Sequence, residues 1–354
     1  MRRALALLAA LLMVAPVARA NMASPTEPGT PAGEPPTALQ GLRVARERLV
    51  LDLTPLGRAR SRGAVRFARI EAEYLIVNDG AARRVPLAFV ALGDDVEAAQ
   101  VWLDGEPVAA RRLDALPVPD AWRIATETPP LGDGEPAPFE TDRQPVTGFG
   151  FALDVPPGRH RVRVAYRVRA GSYDSGAHPN RVWQIAYSLA PARFWAGFGA
   201  LDVTIRVPGG WDAAASLPLR REGGALVGQF AGVPGDVLTV SARAAAPVGR
   251  LPLRIAAFLS ALALFGLAGW IGGRWTAARG RPARWALASS FLGGVAGAAA
   301  FTALTLTADG LGDSSAFGYG AAILGVLVVG PLAVVLGTAL AQTVAVRTHR
   351  RYAS

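Results

Sequence analysis

The chain contains no cysteine and no lysine. Without cysteine there are no disulfides, thiol nucleophiles, iron–sulfur ligands or Cys-type zinc sites. Without lysine there is no P-loop lysine, no kinase strand lysine, no pyridoxal Schiff base and no Ser-x-x-Lys nucleophile system. Histidine is nearly as scarce, with only His160, His178 and His349. None of them lies in a His-Glu-x-x-His pattern, and no Gly-x-Ser-x-Gly elbow is present. These absences point away from an enzyme, and no catalytic, cofactor-binding or metal residue is assigned.

Net charge is also missing where function is expected. The formal charge of +10 comes entirely from the two ends of the chain. Arg2, Arg3 and Arg19 supply part of it, and nine Arg against Asp309 and Asp313 from residue 250 onward supply the rest. Residues 21–249 are therefore neutral overall and carry no counterion-release drive toward a phosphate backbone, so nucleic acid is not an expected partner.

What is present is a set of long apolar runs. Residues 1–20 read as a signal peptide, with Arg2 and Arg3 before an apolar core and Ala18-Arg19-Ala20 as the small-x-small cleavage site. Whether it is cleaved or kept as an anchor, residue 21 emerges outside the cytoplasm. Three more runs, 255–273, 285–307 and 319–346, are each long enough as helices to cross a hydrocarbon layer of about 30 Å. Four Arg lie between the first two runs (274–284), and Arg347, Arg350 and Arg351 follow the third. The loop between the second and third has two Asp and no Arg. The positive-inside rule then puts the Arg segments in the cytoplasm and residues 21–250 outside. This predicts a multi-pass protein of the bacterial inner membrane, partnered by the bilayer, with a cytoplasmic C-terminus. The runs contain no Asp, Glu, Lys, Arg or His, which argues against an ion or proton pathway. Gly269 with Gly273, and Gly293 with Gly297, are GxxxG pairs suited to close helix packing, either within the chain or with a membrane partner.

Between the ends the pattern is that of short strands. Residues 21–39 hold five Pro and read as a linker. From about residue 40, Ile70, Ala72, Tyr74 and Ile76 alternate with Glu71, Glu73, Leu75 and Val77. Val96–Leu103 and the segment from Glu106 flank Asp104-Gly105, a type I′ hairpin signal. Val162, Val164, Tyr166 and Val168 alternate with Arg161, Arg163, Ala165 and Arg167, giving one apolar and one cationic face. Residues 115–147 read as a long loop. Further strands are expected at 201–207, 225–230 and 236–243, so the fold predicted for 40–249 is an all-β sandwich, followed over 250–354 by three transmembrane helices.

Two stretches resemble known sequences. Gly158-Arg159-His160-Arg161-Val162-Arg163-Val164-Ala165-Tyr166 resembles the Gly-x-His-x-Val-x-Val-x-Tyr strand of bacterial immunoglobulin-like domains. Tyr187-Ser188-Leu189 with Trp195-Ala196-Gly197-Phe198-Gly199-Ala200-Leu201-Asp202-Val203 resembles a strand pattern of uncharacterised exported bacterial proteins of domain-of-unknown-function families. The resemblance implies an immunoglobulin-like sandwich and an exported location, and no activity.

Few side chains suggest chemistry. Glu71 and Glu73 share a strand face about 7 Å apart, a loose fit to a glycosidase carboxylate pair; a solvated face beside Arg69 is the plainer reading. Asp174, His178 and Asn180 lie in a polar turn with too few ligands for a metal. Of the aromatics, Trp183 and Tyr187 suit a core, whereas Phe194 and Trp195, in a Pro/Gly connection, are the candidates for exposure to a partner or ligand. The function expected is non-enzymatic: an envelope protein whose outer domain binds or scaffolds another envelope component. The alternatives are an exported carboxylate-dependent hydrolase of wall polysaccharide, or a sensor or accessory subunit of a membrane complex.

Overall fold

The computed structural model describes residues 22–23, 39, 41–58, 65–92, 95–113, 127–132, 135–139, 147–174, 178–309, 311 and 330–353. The expected signal peptide, most of the expected linker, Asp313, residues 319–329 and much of 115–147 lie outside the described residues. The chain divides into two compact units, Met1–Tyr173 with Val182–Ala244, and Asp174–Arg181 with Ala245–Ser354.

The first unit is built from strands. In chain order they are β1 (Met22–Ala23), β2 (Leu42–Asp52), β3 (Phe67–Asn78), β4 (Arg83–Ala91), β5 (Val96–Leu103), β6 (Glu106–Val108), β7 (Ala110–Leu113), β8 (Glu127–Thr128) and β9 (Ala137–Pro138). Then follow β10 (Thr147–Val155), β11 (Gly158–Arg169), β12 (Gly171–Tyr173), β13 (Val182–Ser188), β14 (Gly197–Arg206), β15 (Trp211–Ala215), β16 (Arg220–Glu222), β17 (Ala225–Ala231) and β18 (Val237–Ala244).

The main sheet has eight strands in the order β16-β17-β14-β2-β3-β11-β5-β6. Its inner face carries the alternating apolar set read from the sequence: Ile70, Ala72, Tyr74 and Ile76 from β3, and Val162, Val164, Tyr166 and Val168 from β11, all buried. Two four-stranded sheets, β1-β4-β10-β7 and β12-β13-β18-β15, contribute to the same core. Phe89 of β4 meets Tyr166 edge-on, with centroids 5.3 Å apart. The small β8-β9 pair supplies Thr128 Oγ1 and the Pro138 carbonyl to the buried Gln184 amide, at 2.6 and 2.8 Å. The Asp104-Gly105 turn takes φ of 51° and 95°, the left-handed pair a type I′ hairpin needs. Met22 and Ala23, inside the expected linker, pair with Phe89 and Ala88, and Leu39 is fully buried.

This overturns the expected fold class. The arrangement is a mixed, multi-sheet, strand-rich fold, not an immunoglobulin-like sandwich. The reason is pairing: β14 joins β2 in parallel, which draws the segment after residue 197 into the same large sheet as β3 and β11. Alternation reveals which residues form strands and which face is apolar, but it does not reveal which strands are neighbours.

The expected bundle of three membrane-crossing helices is corrected as well. The second unit contains α1 (Arg250–Ala278), α2 (Ala283–Asp309) and α3 (Gly330–Ala353). Among the described residues only α1 is long and apolar enough to cross a membrane. The apolar part of α2 is the shorter stretch Gly293–Ala308. α3 carries Gln342 and Thr343 at its middle and ends in Arg347, Arg350 and Arg351, which shortens its apolar length. α1 leaves Leu251, Ile255, Phe258, Leu259 and Ile271 exposed.

The GxxxG glycines sit where helices approach closely. A Cβ on Gly269 would overlap the Ala341 carbonyl oxygen, and one on Gly273 would overlap that of Ala345. A Cβ on Gly293 would overlap the Ala268 side chain, and one on Gly297 the Phe265 ring. Gly337 of α3 makes room for the same ring, a contact the GxxxG spacing does not reveal. At the end of α1 the Arg279 guanidinium lies 4.4 Å from the Trp275 ring, and Arg281 lies 4.8 Å from it.

Candidate functional site

Two features of the strand-built unit stand apart from ordinary packing. The first is a buried carboxylate. On β2 the inward positions run Leu42, Val44, then Glu47, Leu49, Leu51, so parity changes between Val44 and Glu47. The cause is a bulge: pairing with β3 shifts register between Val44 and Arg46, leaving Ala45 extra. On the other side β14 passes the bulge at Gly199, where any Cβ would overlap the Ala45 carbonyl oxygen. Gly199 is therefore required by close backbone approach, and the bulge it admits turns Glu47 into the core.

There Glu47 is 2% exposed and lies opposite Tyr74 on β3. Tyr187 Oη, from β13, donates to Glu47 Oε1 at 2.9 Å. Tyr74 Oη lies 2.9 Å from Tyr187 Oη and, since the Tyr187 proton points at Glu47, donates to it. Burial pushes the Glu47 carboxyl up to about 7, against the opposing pull of the Tyr187 and Tyr74 hydrogen bonds. Burial, with the Glu47 charge beside it, also drives the Tyr74 hydroxyl well above its ordinary range. Near neutrality the carboxyl is thus divided between its neutral and charged forms inside an otherwise apolar layer.

The second feature is the open face of the eight-stranded sheet. β3 and β11 pair antiparallel, with Glu73 opposite Arg163 and Glu71 opposite Ala165. Outward from these strands point Arg69, Glu71 and Glu73, and Arg159, Arg161 and Arg163. Glu73 is shared by Arg161 at 3.6 Å and Arg48 at 4.0 Å. Glu71 is shared by Arg69 at 3.4 Å and Arg163 at 3.9 Å. Five guanidiniums, counting Arg159, thus surround two carboxylates. On β2 beside them, Arg46 binds Asp202 of β14.

At the β5–β6 end this face is hollowed into a groove of about 530 Å³. It is lined by Glu73, Leu75, Trp102, Asp104, Arg159, Arg161 and Arg163. The Arg163 guanidinium stacks 3.8 Å from the Trp102 ring centroid, which fixes the cation and covers the indole. Asp104 is tied down locally: it meets His160 Nδ1 at 2.7 Å and accepts the Arg161 backbone N–H at 2.7 Å. Partial burial pulls its carboxyl upward, but the bonds from His160 and Arg161 outweigh that and hold it below the usual aspartate value.

The residues singled out by sequence fall differently. Phe194 and Trp195 are not exposed; each is 5% exposed and belongs to the core. The Pro/Gly connection closes as a 3₁₀ turn, Ala190–Phe194, with Pro at its start, and the turn carries both rings inward. Trp183 and Tyr187 are buried, and Phe198 packs partly buried on the same core. Glu71 and Glu73 do share one face, but each is ion-paired as described. Asp174 is held by Arg181 through two contacts of 3.2 and 3.3 Å, and Asn180 N–H donates to His178 Nδ1 at 3.1 Å. Among the described residues no three His, Cys, Asp or Glu form a group suited to a metal ion. Sequence reasoning missed Glu47 altogether; the available signal was the parity break along β2.

No family model matches this chain. No curated protein matches it either. Among solved structures, it has a likeness to a protein of Legionella pneumophila described as nutrient-binding, at 12% identity and a TM-score of 0.41, covering 71% of this chain and 79% of that one. An M1 zinc metallopeptidase of Deinococcus radiodurans aligns at 16% identity and a TM-score of 0.28, over 57% of this chain and 42% of the other. Leukotriene A4 hydrolase of Saccharomyces cerevisiae aligns at 7% and 0.32, over 61% and 32%. At these scores the likenesses assign neither fold family nor activity to this chain.

Proposed function

We propose that the chain is a non-enzymatic, membrane-anchored protein of the bacterial envelope whose strand-built unit binds another envelope component. One observation carries this reading: the solvent face of the eight-stranded sheet presents fixed arginines in excess of the carboxylates between them. Their strands are locked by a packed core, so the spacing of the arginines is set before any partner arrives, and Arg163 is held further by its stack on Trp102. Glu71 and Glu73 favour the same reading over a hydrolase, because each is bracketed by two guanidiniums and only Glu73 of the two lines the groove. The proposed anchor is α1. Arg274, Arg279 and Arg281, with Trp270 and Trp275, cluster at its C-terminal end, which suits a cytoplasmic boundary and leaves the strand-built unit outside. Cross-linking in native membranes tests the role. The expected result is one defined partner, captured by a photoreactive group at Arg206 on the open face and absent with the group at buried Leu87. Capture of an indiscriminate protein mixture from both positions contradicts it.

A further inference from the structure

The groove beside Trp102 has a row of arginines whose spacing and donor geometry name a ligand class. Arg159, Arg161 and Arg163 stand at alternate positions of β11, spaced about 7 Å apart along one face. Facing them in the groove are Glu73 and Asp104. Asp104 meets His160 and accepts the Arg161 backbone N–H, so its oxygens are engaged by β11 while its charge stays in the groove. Glu73 is shared by Arg161 and Arg48, and Arg163 leans toward Glu71 outside the groove. Arg159 has no ion-pair partner among the described residues. Three guanidiniums against two carboxylates leave one net positive charge in the groove lining, centred on Arg159. What selects the ligand is geometry: two guanidinium forks side by side match a group with several equivalent oxygens better than a point anion.

We propose that this groove binds a phosphate monoester dianion, held between Arg159 and Arg161 and bounded by the Arg163–Trp102 stack. The assignment rests on the binding role proposed above and names its ligand chemistry. The source is a soluble or polymer-borne phosphate and not a lipid headgroup. A surface that docks on a bilayer carries apolar side chains that enter it, and the exposed large apolar residues described in the strand-built unit amount to Val65 alone. Trp102, the aromatic at the groove, is covered by Arg163.

The test uses the full chain in a sugar-based detergent at about pH 8, where phosphate is largely dianionic, with binding followed by calorimetry. The probes are inorganic phosphate, acetate at matched ionic strength, and a short-chain phosphatidylglycerol. Saturable phosphate binding is expected, stronger than acetate, and weakened about tenfold or more by Arg159→Gln or Arg161→Gln. Arg220→Gln, an exposed arginine on β16 paired with Glu222, is the control and leaves affinity unchanged. Both groove arginines are largely solvent-facing, and thermal melts matching the parent establish that the variants fold. Equal binding of acetate, equal weakening by Arg220→Gln, or binding of the lipid without binding of phosphate each overturns the assignment. If phosphate fails to bind while the cross-linked partner is still captured, the groove assignment falls and the binding role stands. Phosphate binding with no defined partner leaves the groove and removes the role.

Discussion

Replacing Glu47 by glutamine is expected to stabilise the protein at alkaline pH and to do little in acid. The carboxyl titrates near 4.5 when unfolded and at about 7 when folded, because burial disfavours its charge. Below about 4.5 both states hold the proton and the group is neutral to folding. Between these values the unfolded chain releases the proton while the folded chain keeps it. Stability therefore declines as pH rises through that window and levels off above the folded value. A displacement of this size is worth about 3 kcal/mol at about 1.4 kcal/mol per pH unit. Glutamine cannot ionise, and its carbonyl still accepts from Tyr187. The assay is chemical denaturation of parent and Glu47→Gln, side by side in detergent, at about pH 4.5 and about pH 8. The variant should match the parent within about 1 kcal/mol in acid and exceed it by about 3 kcal/mol in alkali. A difference that does not change with pH refutes the reasoning, since it would mean that Glu47 titrates alike in both states.

Other perturbations test the framework around it. Gly199→Ala forces a Cβ onto the Ala45 carbonyl, so unfolding titrations should show a loss of about 1–3 kcal/mol. Trp195→Ala empties a core position and should cost about 3–5 kcal/mol; unchanged stability with loss of partner capture would instead return Trp195 to the surface. Gly293→Leu places a large side chain against Ala268 in the second unit. It is expected to lower the thermal midpoint followed by helical circular dichroism, and an unaltered midpoint would mean that α1 and α2 are not in close contact.

What the sequence made legible is what short-range chemistry governs. The β3 and β11 alternations, the Asp104-Gly105 turn and the GxxxG contacts follow from residue spacing alone. Partner choice does not. The parallel pairing of β14 with β2 joins residues more than 140 positions apart, and nothing in the local pattern of either strand specifies it. Phe194 and Trp195 went astray for a related reason: Pro and Gly mark a turn, but whether a turn folds inward depends on the space left by distant strands. The groove was half visible, as a cationic face on β11 without the Trp102 wall that β5 brings to it. Glu47 was hidden because one inserted residue, Ala45, reverses which side of β2 meets the core. Within the described residues of the second and third apolar runs, hydroxyl, amide and terminal arginine positions interrupt the continuous apolarity that residue type suggests.

The absence of native cysteine allows a direct test of the central claim, that the arginine face lies outside the cytoplasm and the end of α1 within it. Single cysteines at Arg206, on the open sheet face, and at Arg279, after α1, would be exposed to a membrane-impermeant maleimide applied to spheroplasts before and after lysis. Immediate labelling at position 206, with position 279 protected until lysis, is the predicted result. Protection at 206 with immediate labelling at 279 would contradict the account.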